Sequence, residues 1–553
     1  VSDDADVCVV GAGAGGAVAA WALTRLGLSV RLLEVGPRYA PDRYGTHRQD
    51  WELTPSPFER VSRDPGERSY ESPPGPSLDP DFAHLSSESP TGFARRRRRR
   101  RRDFVYSHAI GVGGSTLHYQ GEAHRFPAHA FRMRSERGVA ADWPLAYEDL
   151  APYYERVEEL LGVAGDPANP FKPARGPYPY PAHPLSAASR RLGEAAHALG
   201  WELLPNPLAI LPRPRPGREA CHYCNGCVRG CAVGAKGSVD VAVIPEAERT
   251  GRLRLVTGFR AGALEHGPDG RITAVLGFDE EGREQRHRAR AFVLAAGAIE
   301  TPRLLLNSAG GAHPAGVGNA QDQVGRNLME LLYVVRRGLF DRPYETYAGV
   351  PIDSRVWDFN GANSDGPGFV LGPACGVFEG PVGYALEGVE GFGAEHRAAM
   401  RRHFGAGISV FGIAEQLPRP ENRVILGKDS DAFGRPLARV ETGPDRADLE
   451  VLSGMLERVD ELTQAAGLEP VGLVTAYDAP SATHVGGTCR MGSDPIDSVV
   501  DAFGRVHGVP NLVIADASVL VTQGAGDSPS LTIQALALRS AEALVERSRR
   551  GEV

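Results

Sequence analysis

Two histidines, a serine and a run of four cysteines carry the chemistry this chain could perform. His484 stands in HVGGTCRMG, His118 in GGSTLHYQG and Ser528 in GDSPSLTIQALA. Imidazole titrates near neutrality, so His484 suits the removal of a hydroxyl proton while the carbon that bears it is oxidised. On its own, a histidine beside a glycine pair is equally a satisfied loop residue. Serine can donate a hydrogen bond to a substrate oxygen but cannot act as a base near pH 7.

Cys221, Cys224, Cys227 and Cys231 fall within eleven residues as C-x2-C-x2-C-x3-C, and three readings compete. Zinc normally takes two ligand pairs from separate loops, for which this run leaves little room. An inert or disulfide-linked structural loop is the second reading. The third is an iron–sulfur cluster, since the spacing follows the bacterial ferredoxin run with Ala232 in place of the proline. Cys8, Cys375 and Cys489 read as packing residues.

These side chains need a scaffold, and the N-terminus supplies its signature. VCVV reads as a buried strand, Gly11, Gly13 and Gly16 form G-x-G-x-x-G, a helix follows to Gly27, and SVRLLE ends in Glu34. The glycines admit a pyrophosphate to the helix N-terminus, and the acid accepts a ribose hydroxyl. The pattern specifies a dinucleotide without choosing between FAD and NAD. Residues 291–297, AFVLAAG, read as a later strand of the same sheet that delivers Gly297 to a turn. The parallel sheet is therefore expected to be discontinuous in sequence.

Four further stretches complete a family pattern: GVGGSTLHYQG at 111–121, GAIETPRLLLNS at 297–308, HVGGTCRMG at 484–492, and the C-terminal VHGVPNLVIADASVLVTQGAGDSPSLTIQALALRSAEAL. Together with the first motif they resemble the glucose-methanol-choline (GMC) oxidoreductase family over about residues 5–545. The spacing is closest to bacterial FAD-dependent glucose, gluconate and fructose dehydrogenase large subunits, with similarity to long-chain alcohol oxidases. The resemblance implies FAD and hydride transfer from a carbinol carbon to flavin N5. It implies that Gly113, Gly114, Ser115 and Thr116 contact the flavin, that Asp516 and Ala517 lie near its pyrophosphate and ring, and that the main chain at Ala261 approaches the adenine. His484 becomes the active-site histidine.

The chain also departs from the pattern. Ser528 stands where members usually carry His or Asn, which leaves the second polar contact in doubt and raises Asp527 as a substitute. Glu330 replaces a common His. His118 matches the position through which some members bond FAD covalently, while others keep a similar histidine unbonded. Cys221, Cys227 and Cys231 reproduce the C-x5-C-x3-C spacing of the [3Fe-4S] dehydrogenases, with Cys224 an extra residue or a fourth ligand of a [4Fe-4S] cluster.

The expected fold is α/β: a Rossmann-like FAD-binding domain of the GMC type with an inserted α+β substrate domain carrying a mostly antiparallel sheet. The FAD domain is assigned to 1–40, 104–160, 220–325 and 480–550, and the substrate domain to 161–219 and 326–479. Residues 41–103 read as an irregular excursion ending in the eight arginines Arg95 to Arg102, either a solvated loop or a dock for an acidic partner or anionic lipid. Trp143 and the aromatic helix after it read as structural. A net charge of -8 excludes a general attraction for nucleic acid. No apolar run is long enough for a transmembrane span. The absence of a signal peptide points to the cytoplasm, with export or peripheral membrane association through a partner left open.

The expected function is oxidation of an alcohol, sugar or polyol. Electrons pass to a non-oxygen acceptor, such as a small subunit or cytochrome, directly or through a cluster. The competing expectations are an oxidase that makes hydrogen peroxide and a non-catalytic flavin-bearing subunit.

Overall fold

The computed structural model describes residues 5–40, 44, 70–71, 106, 108–361, 368–375, 381–383, 385, 391–471 and 483–553. The arginine run lies outside the described residues.

The N-terminal pattern folds as its residues dictate. Strand β1 (Ala5–Val10) is buried from Val7 onward, and helix α1 (Ala14–Arg25) starts directly after the glycine turn. Strand β2 (Val30–Leu33) is wholly buried and pairs in parallel with β1. Strand β4 (Leu253–Val256) extends this sheet in parallel beyond β2. On its other side β1 pairs with β7 (Glu284–Leu294), whose C-terminal half is parallel to both β1 and β15 (Leu512–Ile514). The N-terminal half of β7 turns to a different task. It pairs antiparallel with β6 (Ile272–Phe278), which pairs with β5 (Arg260–His266). One strand of 11 residues thus joins a parallel nucleotide sheet to an antiparallel meander. The discontinuous sheet is as the sequence pattern requires.

Helix α1 and the C-terminal helix α6 (Ser530–Arg549) pack together, and α6 also meets α2 (Tyr147–Leu161). The approach of α1 is close enough to exclude side chains. A Cβ on Gly15 would stand 1.7 Å from the carbonyl oxygen of Ala515, and one on Gly16 would stand 1.9 Å from that of Gly11. Trp143 is fully buried and its indole donates to Thr522 Oγ1 at 2.8 Å.

A second sheet is six-stranded and antiparallel. Its order is β14 (Glu469–Pro470), β8 (Leu331–Leu339), β11 (Gly407–Glu415), β10 (Phe369–Cys375), β9 (Ser354–Val356) and β3 (Leu203–Pro205). Side chains alternate across it with period two. Leu332, Val334, Val410 and Leu371 face helices α3 (Ala187–Ala198) and α5 (Arg446–Ala465). Leu331, Val370, Phe411 and Ile413 form the opposite face, with Tyr333 packed on it. That second face abuts the C-terminal motif, for a Cβ on Gly526 would meet Ile413 O at 2.2 Å.

Residues 423–441 fall in the stretch assigned to the substrate side. Their hairpin, β12 (Arg423–Ser430) with β13 (Pro436–Glu441), instead packs Val424, Ala438 and Val440 against Ala298 and Ile299 of α4 (Gly297–Leu306). Among the described residues no helix is long and apolar enough to cross a membrane.

Candidate active site

The residues of the first motif form a cradle that suits a pyrophosphate. Helix α1 has Gly13 at its N-cap, no side-chain cap and no acid in its first turn. Its leading N–H groups are therefore left for a ligand, at the positive end of the helix dipole. Gly13 is open: a Cβ there would meet only Gly114 Cα, at 3.9 Å. Glu34, buried at the end of β2, accepts from Ala12 N at 2.9 Å and from Gly36 N at 3.0 Å. Burial raises its pKa against these bonds. Ala261 lies in β5, two residues beyond Phe259, whose N–H donates to the Glu34 carbonyl.

The GVGGST loop lies directly on this cradle. Gly113 N donates to Ala12 O at 3.0 Å. Gly113 and Gly114 have φ of +117° and +51°, and a Cβ on Gly114 would stand 2.8 Å from Gly13 Cα. Ser115 and Thr116 follow in a short 3-10 turn, with Thr116 Oγ1 accepting from Val239 N. Asp516 is fixed from the other side. Its carboxylate accepts from Gly297 N, Thr301 Oγ1, Ser518 N and Ser518 Oγ at 2.5–2.9 Å. That carboxylate ties α4 to the turn containing Ala517.

His118 is the residue of this loop with an unmet need. Its Nε2 is buried with no hydrogen-bond partner. Burial, with Lys236, His484 and His108 nearby, lowers its pKa to about 4. A neutral, unpaired imidazole beside the glycine cradle is consistent with a cofactor completing the site.

His484 is half-buried. Its Nδ1 lies 2.7 Å from Tyr333 Oη on β8, and the two rings stack at 6.4 Å. Gln523 Nε2 holds the His484 carbonyl at 2.8 Å, while Gln523 N donates to Glu415 Oε2 at the end of β11. The histidine is thereby anchored to both the substrate-side sheet and the C-terminal motif. Burial outweighs the nearby Glu122 carboxylate and lowers the His484 pKa to about 4. The ring is neutral at pH 7. If Nδ1–H donates to the Tyr333 oxygen, Nε2 presents a lone pair and can take a proton.

Ser528 is buried, and its N–H donates to His124 Nδ1 at 2.9 Å. His124 Nε2 meets Asn206 Oδ1 at 2.6 Å. Both ring nitrogens of His124 are thus engaged, and it acts by holding Ser528 in place. Asp527 is fully buried beside it and accepts from Lys172 Nζ and Trp357 Nε1, with His124 Nδ1 3.2 Å away. Lys172 holds its pKa down to about 2 despite burial. Next to this cluster Glu122 takes Arg355 Nη2 and Asn206 Nδ2. None of Glu122, His124, Lys172, Asn206 and Arg355 is marked by the sequence motifs, because they come from four segments that meet only through the fold. Glu330 is buried and accepts from Thr442 Oγ1 at 3.1 Å.

The four clustered cysteines line one small cavity together with His222 and Lys236. They are free thiols: Cys224 is exposed, Cys227 buried, and Cys221 and Cys231 between these extremes. Burial raises the Cys221 pKa to about 11 and that of Cys227 further. Among the described residues no group of three or more His, Cys, Asp or Glu is arranged to hold a metal ion. The cluster expectation gains no support from this arrangement.

Family models described as GMC oxidoreductase match residues 6–332 and 418–537. A 2-methyl-1,2-propanediol dehydrogenase of Mycolicibacterium austroafricanum is 32% identical, over 99% of this chain and 96% of its own. A paromamine 6'-oxidase of Streptomyces fradiae is 32% identical, over 98% and 91%. The fructose dehydrogenase large subunit of Gluconobacter japonicus is 30% identical, over 99% of both.

Proposed function

The chain belongs to the GMC oxidoreductase family, and from that premise we propose that it oxidises a hydroxyl of a polyol or sugar with His484 as the base. The observation that carries this reading is the His484–Tyr333 pair, which leaves one imidazole nitrogen for substrate. Bound FAD supplies the acceptor for the carbinol hydrogen and its electron pair. Gly11, Gly13, Gly16, Glu34 and the main chain at Ala261 hold the nucleotide. Gly113 to Thr116, His118, Gly297 and the segment at Asp516–Ala517 enclose the rest.

The protein's own part is proton handling and orientation. With Nδ1–H donated to Tyr333 Oη, the tautomer is the one in which Nε2 is basic, and this reading requires that tautomer. His484 Nε2 takes the hydroxyl proton as the carbonyl forms. Ser528, held by His124, offers a hydrogen bond to the substrate oxygen. Tyr333 packs on the buried sheet face bearing Val370, Phe411 and Ile413, which supplies an apolar backing for the pair. Tyr333, the partner of the base, comes from the antiparallel sheet and the nucleotide cradle from the parallel one, so the substrate is placed where the two meet.

We assign the enzyme as a dehydrogenase that passes electrons to an external acceptor. The diol and fructose dehydrogenases among its relatives support this reading. An oxidase is the second reading, favoured by the paromamine oxidase relative. No step is assigned to a metal cluster. The test is anaerobic mixing of the FAD-loaded protein with a panel of polyols, sugars and simple alcohols. Bleaching of the flavin by polyols supports the reading. A flavin that no hydroxyl compound reduces contradicts it. Stoichiometric peroxide on admitting air, at a rate matching turnover, would replace dehydrogenase with oxidase.

A further inference from the structure

Lys236 lies between the two loops of unassigned chemistry. It is 0% exposed. Its Nζ donates to the carbonyls of Leu117 at 2.8 Å, Tyr119 at 3.0 Å and Cys227 at 2.7 Å. The first two flank His118, and the third belongs to the cysteine run. Three carbonyl acceptors need three N–H donors, which an ammonium has and a neutral amine lacks. The geometry suits the ammonium form, and with burial lowering its pKa to about 8 the nitrogen is mostly charged at pH 7. All its hydrogens are taken by backbone oxygens, so no carboxylate forms a hydrogen bond to it. The Tyr119 ring stands 5.2 Å away, and Asp240 contributes at longer range.

A buried cation without a hydrogen-bonded counter-ion is costly. A methionine of similar length would fill the space without that cost, and two ordinary polar side chains could pin the loops. The charge itself needs a reason. It acts on both neighbours, raising the cost of a second positive charge on His118 and favouring negative charge at Cys227. Two electrons and one proton added to flavin bring one net negative charge, which a nearby buried cation stabilises.

We propose that Lys236 is a positioning residue for the redox centre, a fixed positive charge that makes the flavin easier to reduce and clamps the cysteine loop to the flavin-facing loop. This rests on the reading that FAD lies over the loop from Gly113 to His118.

The test is the flavin midpoint potential of FAD-loaded wild type, Lys236→Gln, Lys236→Met and Lys236→Arg, titrated with a reference dye. The glutamine keeps two N–H donors and removes the charge, so it carries the test if the methionine variant fails to fold. Removing the charge is expected to lower the equilibrium constant for two-electron reduction at least tenfold, about 30 mV. Arginine, which keeps the charge, is expected to stay within threefold of wild type. A merely structural lysine would lower thermal stability in the glutamine variant and leave its potential unmoved, which overturns the proposal. An equal shift in the arginine variant overturns it too. Dye titration needs no substrate. A wild type that no alcohol reduces therefore defeats the proposed function without touching this result.

Discussion

At the scale of single residues, His484 bears the chemical burden. Replacing it with Asn keeps a polar side chain but removes the base. The rate of flavin reduction should fall by about 10²–10⁴-fold with FAD still bound, as stopped-flow bleaching and the flavin spectrum would show. The low pKa of His484 gives a second expectation. The base is active when neutral, so the reduction rate should hold steady from pH 8 to 5 and fall only as pH drops through about 4. An acid limb near 6.5 would mean that the imidazole is solvated like a free one. The role of His484 could be sought from its motif alone. Its partner could not. Tyr333 is 151 residues distant and carries no local signal, because it meets the histidine through the fold, where Met329 just before β8 bridges Gly486.

Elements decide how close the cofactor cradle can be built. Gly15 is a sensitive point, since any side chain there meets Ala515 O. Gly15→Ala should force α1 off the segment that carries Asp516, costing about 1–3 kcal/mol and weakening FAD retention. Equal melting temperatures and equal flavin content would refute that packing account. Strand β9 brings a different risk. Arg355 is 1% exposed and answers Glu122. Arg355→Met leaves that buried carboxylate without its counter-charge and with only the Asn206 amide, so denaturant titration should show a loss of about 3–5 kcal/mol. Unchanged stability would mean that water reaches Glu122. The strand–turn–helix–strand unit and the returning strand at 291–297 were legible because glycine spacing and apolar runs are local signals. The second sheet was expected only as mostly antiparallel, from the family resemblance; its strand limits and order were not legible, since its strands are far apart in sequence and paired through long crossings. The turn of residues 423–441 toward α4 was illegible for the same reason. So was the buried charge cluster around Asp527, although GDSPS drew attention to its centre.

For the molecule as a whole, burial of neutral histidines couples stability to pH. His118, His129 and His484 each have a folded pKa near 4, below the ordinary value of 6.5. Between those values the unfolded chain binds protons that the native chain refuses, so stability rises with pH across that window. The melting temperature should therefore fall steadily from pH 6.5 to 4 and be nearly flat from 7 to 8 as far as these groups decide it. A flat profile from 7 to 4 would contradict their burial as neutral rings. The His484 loop is tied to the antiparallel sheet, for Gln523 reaches both His484 and the end of β11. The central claim is that this junction oxidises a hydroxyl, with His484 removing its proton. The most direct measurement is anaerobic rapid mixing of wild type and His484→Asn with a polyol, following flavin absorbance. The account predicts fast bleaching in wild type and bleaching at least a hundredfold slower in the variant, with equal FAD content. Equal rates in the two proteins, or no bleaching in wild type by any hydroxyl compound, would contradict it.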